Sequence, residues 1–377
     1  MAGTILRERL IAGTHEARKF NKSLFPDTEG LGAPFDAVTP DTVQDRRLLT
    51  VFNLPLPYPN PTTGTNDIEM WVLFQPGSPA QFPSQLVRLN EGQIFHSNSA
   101  GNQGAHTIHW HGIEPTPAND GVGHDSFEIG TYTFQWLATE SGFYFYHCHK
   151  NTPLHFEMGL YGALIVDPPT GPGRVRANTP GVPGFDPATF TIPYDVERVW
   201  VVDEFDSRWH VLGTNDFMFA SGSDPNDPAS FAQPGGFLHD FRADLFVITG
   251  VPIPAGANGQ PDGNIPITDP RVAATVQRGQ TMLIRLLNGG YNIHEHTFGV
   301  DVLAIESDGR PFGVPPFGSY SQPYTIPANQ PFRLTTARRW SVILRPTTPG
   351  VIPYKVDFFD WISGVKTGTA RTTITVL

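Results

Sequence analysis

The sequence predicts an all-β protein of two sandwich- or barrel-like domains. Three observations predict it: the composition, a recurring rhythm of short apolar runs, and a Pro/Gly-rich break between two sets of such runs. Thirty-eight glycines and 37 prolines among 377 residues leave little room for long helices, which both residues interrupt. Phe, Tyr, Trp, Val, Ile and Thr, the residues that fit pleated surfaces, fill the stretches between them. A chain of this length buries full cores without disulfide staples, and its single cysteine, Cys148, permits no intrachain disulfide.

Taken in order, residues 1–45 read as an N-terminal arm, with a short helix expected around Thr4 to Phe20. From Leu48 onward the runs LLTVFNL, IEMWVLF, SQLVRL, TYTFQWLA, FYFYHCH and YGALIVD have strand length and strand composition, and they define a first domain over 46–168. The stretch DPPTGPGRVRANTPGVPGFDP, from Asp167 to Pro187, is dense in turn formers and poor in apolar residues, so a linker is expected over 169–197. A second set (VERVWVVDEF, DLFVITG, TMLIRLLNGG, VDVLAIESDG, WSVILRP and RTTITVL) makes a second domain over 198–377, the same kind of unit built again.

Charge excludes some partners. Twenty-five Lys and Arg against 36 Asp and Glu leave a formal charge of −11, and no basic run exceeds a pair, so nucleic acid is not an expected partner. No apolar stretch approaches the roughly 20 residues that span a bilayer. The start, MAGTILRERLIAGTHEARKF, carries charges where a signal peptide has its apolar core, which leaves a cytoplasmic protein or one whose leader has been removed.

The chemistry is concentrated in two windows of the first domain, GAHTIHWHG and FYFYHCHKNTPLHFEMG, which hold the cysteine and many of the 13 histidines. Side chains alternate faces along a strand, so His109 and His111 share one face while His106 tends to the other, and the same parity separates Cys148 from His147 and His149. Two ligand sets follow. His106, Cys148 and the downstream His155 form the two-imidazole, one-thiolate combination that selects copper in a blue (type 1) centre. His109, His111, His147 and His149 offer four imidazoles for further copper, with Cys148 linking the two sets covalently through its neighbours.

These residues resemble the copper motifs of the multicopper oxidases, such as laccase and ascorbate oxidase. The family's H-x-x-H-x-H-G stands as His106, His109, His111 and Gly112, and its H-C-H strand as His147, Cys148 and His149. Asp120-Gly121, YTFQWLATESGFYFYH and LYGALIVDP also resemble the family, and RLLNGG, HTFGVDVLAIESDGRPF and ARRWSVILRP do so more loosely. The resemblance implies two cupredoxin-like Greek-key domains. It implies that His109 ligates type 2 copper, that His111, His147 and His149 ligate the type 3 pair, and that His106, Cys148 and His155 hold type 1 copper. It also places Leu160 at the axial position, with Met158 as the alternative, and makes Asp120 a proton-relaying carboxylate beside the type 2 site, or else a turn residue. His294 and His296 would complete the cluster from the second domain.

The sequence departs from the family at three points: Leu160 rather than Met158 aligns with the axial position, the loop from Cys148 to His155 is two residues longer than the usual laccase spacing, and the cluster histidines are incomplete. A complete cluster uses eight histidines, and only six stand at matching positions; Lys355 and Asp357 occupy the region of the missing pair. Asp357, Asp360 or His124 can be considered as unusual ligands. Glu157, beside His155, reads as a solvated carboxylate or a group that orients a reductant, and His15, His96, His124, His210 and His239 read as ordinary surface or core residues. The expected function is an oxidase with up to four coppers per chain, which takes electrons one at a time from a phenolic, aromatic amine or metal-ion reductant and delivers them to dioxygen. The resemblance to small two-domain oxidases adds a homotrimer and a periplasmic or secreted location. Two alternatives stay open: a copper nitrite reductase, and a copper-binding or electron-transfer protein without enzymatic activity.

Overall fold

A computed structural model describes residues 42–113, 115, 117–122, 129–150, 152–215, 240–316, 319 and 321–377. The helix expected at Thr4 to Phe20, and His15, His124 and His239, lie outside them. Within the described residues the chain is built of short strands with a few short helices, as the composition predicts. No described helix is long and apolar enough to cross a membrane. Two compact units are present, one based on residues to Phe52 and on Met70–Pro169, the other on Asn53–Glu69, Thr170–Val211 and Phe237–Leu377.

In the first unit the elements are β1 (Thr42–Pro55), β2 (Asp67–Phe74), β3 (Ser84–Asn90), β4 (Ile94–Ala105), β5 (His109–His111), α1 (Pro117–Asp120), β6 (Ile129–Leu137), β7 (Gly142–His147), α2 (Thr152–Glu157) and β8 (Tyr161–Asp167). They form two four-stranded sheets, ordered β2-β1-β4-β6 and β3-β8-β7-β5. β1 begins inside the expected arm. β7 and β8 are buried along their whole length, as strands covered on both faces are. Trp110 pairs with Tyr146 across β5 and β7, and its ring packs on Phe95, Phe134 and Trp136 of the opposite sheet. That face is the core, so the alternate residues His109, His111 and His147 lie on the other face.

The second unit is a larger sandwich. One sheet runs Ala274–Val276, Lys366–Val376, Gly350–Phe359, Ile293–Phe298, Phe332–Leu334; the other is centred on Val196–Phe205, Met282–Asn288, Arg339–Leu344 and Val302–Ser307. Trp200, Val202, Ile284, Leu286, Val342, Phe298, Tyr354, Val356 and Phe358 fill the space between them. The stretch expected as a linker is ordered: Arg174–Arg176 pairs antiparallel with Thr191–Pro193. It packs Val175, Ala177 and Ile192 onto Leu283, Ile305 and Ile343. These few apolar residues, spaced among prolines and glycines, suffice to seat it on the second unit.

Candidate metal centre

β5 and β7 bring the first-unit histidines together through their register, His109 opposite His147 and His111 opposite Phe145. The rings of His109 and His111, His109 and His147, and His111 and His147 lie 5.3, 5.2 and 5.5 Å apart between centroids. One nitrogen from each of His109, His111 and His147 falls within 4.8 Å of the others. His149 stands at the edge of this group, its ring 5.4 Å from that of His109 and 5.8 Å from that of His147.

Hydrogen bonds orient the rings. His109 Nδ1 lies 2.9 Å from the backbone oxygen of Asp120 and 3.1 Å from its carboxylate, and His147 Nδ1 lies 2.8 Å from the Cys148 carbonyl. Nδ1–H donation in both places turns the Nε2 lone pairs toward the group, as in metal-ligating histidines whose other ring nitrogen is held by a carboxylate or carbonyl. His147 Nε2 then meets His111 Nδ1 at 3.3 Å. Burial, followed by the neighbouring His109, holds the His147 imidazole well below its ordinary pKa, and burial also lowers that of His149. Neutral imidazoles are what a metal requires.

The Asp120 loop is built to hold this contact. Gly121 has φ of +75°, and a Cβ there would collide with the Ile108 carbonyl, so only glycine fits. Thr107 Oγ1 donates to the Gly121 carbonyl at 2.8 Å, and the β6 amide of Gln135 donates to Asn119 Oδ1 at 2.8 Å.

The second group lies where β7 ends. Cys148 Sγ is 3.8 Å from His106 Nδ1 and 3.3 Å from His155 Nδ1, and the three ligand atoms gather within 4.8 Å. α2 carries His155 into the protein interior. Burial, then His106 and Lys150, lower its pKa to about 3, so the ring is neutral at physiological pH. Trp71 of β2 packs edge-on against both imidazoles, at 6.2 Å from His106 and 5.5 Å from His155. Leu160 is tied to two members of the set: its carbonyl accepts from the Cys148 amide at 2.9 Å, and its amide donates to the His155 carbonyl at 3.1 Å. Met158 is fully buried nearby, with its carbonyl bonded to the Trp71 amide at 2.6 Å. One thiolate and two imidazoles fit copper by donor chemistry.

Other expected residues fall differently. Glu157 is not a solvated carboxylate: α2 buries it together with Leu154, His155 and Phe156. Asp357 is engaged by Lys355 and Lys366, each at 2.6 Å, and by Thr369; burial raises its pKa but these bonds outweigh it and hold the carboxyl down to about 2. Asp360 accepts from the amide and hydroxyl of Ser363 in a turn.

His294 and His296 lie on one face of Ile293–Phe298, as their spacing predicts. That face is the inner one, and both rings have 0 % exposure among side chains of their own unit. Their partners, Glu204 at 2.6 Å from His294 Nε2 and the Tyr354 hydroxyl at 2.7 Å from His296 Nδ1, were not singled out from the sequence. The signal for Glu204 is an acidic residue in phase with the apolar positions Trp200 and Val202 of its strand. Trp71 carried no signal beyond membership of an apolar run.

Residues 78–171 match the multicopper oxidase family. An L-ascorbate oxidase from Cucumis sativus is 38% identical over 104 residues, which is 25% of this chain and 17% of that protein. The match thus spans about a sixth of that relative's length. Among solved structures, a blue copper oxidase from Nitrosomonas europaea superposes with a TM-score of 0.59 at 20% identity, covering 89% of this chain and 86% of that one. A copper nitrite reductase from the same organism superposes with a TM-score of 0.55 at 17% identity, covering 89% of this chain and 94% of that one. At such identities the structural likeness shows the fold, which is cupredoxin-like. The segment that is similar to the multicopper oxidase family, residues 78–171, contains both ligand groups.

Proposed function

We propose that this chain is a laccase-like oxidase that couples one-electron oxidation of a phenolic, aromatic amine or metal-ion reductant to the reduction of dioxygen to water. The observation that carries the reading is the placement of Cys148: its sulfur gathers with His106 and His155, while its sequence neighbours His147 and His149 belong to or border the imidazole group on the other face. His106, Cys148 and His155 would hold type 1 copper, with the buried side chains of Leu160 and Met158 beside them. His109, His111, His147 and His149 would hold the oxygen-reacting copper. Copper bound there would supply one-electron redox chemistry at the thiolate set and dioxygen binding at the imidazole set.

The protein's own contributions follow from the geometry. Burial keeps His155 and His147 neutral, so their lone pairs are available without displacement of a proton. Trp71 and α2 exclude water from the thiolate set. Asp120, partly exposed and bonded to His109, orients that ring and has a carboxylate oxygen able to hold a proton beside the imidazole group. A homotrimer and a periplasmic or secreted location belong to the same reading and rest on the family resemblance.

One observation favours a second reading. Among the described residues, of the four imidazoles on that face His109, His111 and His147 alone close to within 4.8 Å, a three-imidazole group suited to a single copper, as in a nitrite reductase. Copper held by the first unit's two groups in fully loaded protein, measured together with oxygen uptake in the presence of a phenolic reductant, decides between them. The oxidase reading expects more than two coppers and oxygen consumption. One or two coppers with nitrite reduction and no oxygen uptake would replace it, and one copper with neither activity would leave an electron-transfer protein.

A further inference from the structure

The chain contains two His-x-His strands, and they face opposite ways. On β5 the imidazoles of His109 and His111 are partly exposed, and Trp110 between them is buried in the core. On Ile293–Phe298 the histidines are the buried positions, in phase with Phe298, and Glu295 is the outer residue. His294 pairs with Phe358 and His296 with Val356 across the strands, two residues of the second unit's core. The Phe358 ring stands edge-on to His294 at 4.8 Å, and that of Phe332 stacks on His296 at 5.4 Å. An inward pair enclosed by its own sandwich does not suit a cluster assembled on outward-facing imidazoles.

The charges around the pair are unusual for a core. Glu204, on the opposite sheet, has no exposure. One of its oxygens accepts from the amides of Tyr291 and Asn292, both at 2.6 Å, and the other lies 2.6 Å from His294 Nε2. A carboxylate buried in this way requires a compensating positive charge. The His294 ring, held to it through Nε2, is placed to supply that charge through a cation on its second nitrogen. That second nitrogen, Nδ1, is buried without a hydrogen-bond partner, and so is Nε2 of His296. The two ring centroids are 6.2 Å apart. Each imidazole is therefore fixed through one nitrogen, by Glu204 or by the Tyr354 hydroxyl, and has the other vacant, which is the outer-shell arrangement of metal-ligating histidines.

We propose that His294 Nδ1 and His296 Nε2 form a closed site of the second unit for one monovalent copper ion, with its charge offset by Glu204. Among the described residues neither histidine joins a set of three His, Cys, Asp or Glu donors within 4.8 Å. A divalent ion that needs four or more ligands is poorly served there, whereas copper(I) accepts two imidazoles and a largely apolar surround. The inference is independent of the oxidase reading, since every residue it uses lies outside the first unit's two ligand groups.

The test uses the full chain carrying Cys148→Ser, His109→Ala and His147→Ala, which disables both first-unit groups. Copper(I) is titrated against a chromogenic copper(I) chelator, and the bound ion is characterised by X-ray absorption. One tightly bound copper(I) per chain is expected, with two nitrogen neighbours and no sulfur. Adding His296→Leu abolishes it. Adding Glu204→Gln weakens it about 10- to 100-fold, because the amide oxygen takes over the two backbone donors and the amide N–H then faces His294 Nε2, moving the ring proton to Nδ1. Absence of tight copper(I) binding overturns the proposal, as does binding that survives both substitutions. If the His296→Leu chain fails to fold, judged by near-ultraviolet circular dichroism, the volume-conserving Glu204→Gln chain decides alone. Loss of the first-unit reading would appear separately, as wild-type protein without blue colour.

Discussion

At the scale of single residues, the site is governed by what fixes each imidazole. His109 is held by Asp120 through both a backbone and a side-chain oxygen. Asp120→Ala is therefore expected to weaken copper retention at the imidazole group by about 10- to 100-fold, while the thiolate set keeps its visible spectrum; competitive dialysis against a chelator, with absorption followed in parallel, checks both halves. A residue outside the copper motifs sets a pH limit. His210 is buried with Nδ1 bonded to the Glu69 carbonyl at 2.6 Å, and burial lowers its pKa to about 4. The unfolded chain takes up a proton below its ordinary pKa of about 6.5, and the folded chain does so only near 4. Stability is thus full above pH 6.5 and is lost as pH falls from 6.5 to 4, by on the order of 3 kcal/mol. In thermal unfolding across that window, His210→Asn should flatten the slope; an unchanged slope would remove His210 as its source.

At the scale of strands and loops, pattern alone takes the reading a long way. His106, His109, His111, His147, Cys148, His149 and His155 are legible because their spacing, combined with strand alternation, leaves few ways to divide them; in the structure His106, Cys148 and His155 gather as one group and His109, His111 and His147 as another, with His149 at its edge. Alternation states which residues share a face but not which face is the core. That is why His294 and His296 read as a shared-face pair in the sequence and yet point inward, beside Glu204 and Tyr354. The Pro/Gly-rich stretch after Asp167 reads as a linker because turn formers dominate it, although two strand-forming triplets, each with one buried centre, seat it on the second unit. Two substitutions probe elements directly. Gly121→Ala should destabilise by about 1–3 kcal/mol, through positive φ and collision with Ile108, and should loosen Asp120 with it. Arg285 is buried between Glu197 at 2.9 Å and Glu306 at 3.3 Å and ties together three strands of one sheet. Arg285→Met leaves those carboxylates without their cation and should cost about 3–5 kcal/mol in chemical denaturation, in contrast to the few tenths expected of an exposed pair such as Arg271 with Asp269.

At the scale of the whole molecule, one architecture is used twice with different polarity. The first unit places its His-x-His on an outer face and gathers a thiolate next to it; the second places its His-x-His in the core. The composition predicted the repeated all-β plan, since Gly and Pro punctuation imposes short strands throughout, but the polarity depends on packing between sheets that no local pattern records. The central claim is that Cys148 is a copper thiolate shared in sequence by two metal groups. The measurement that tests it most directly is the visible absorption and electron paramagnetic resonance of copper-loaded wild-type protein beside Cys148→Ser. Intense blue absorption in the wild type, absent from a Cys148→Ser chain with unchanged far-ultraviolet circular dichroism, is the predicted result. A colourless wild type, or a blue band that persists without the thiol, would contradict it.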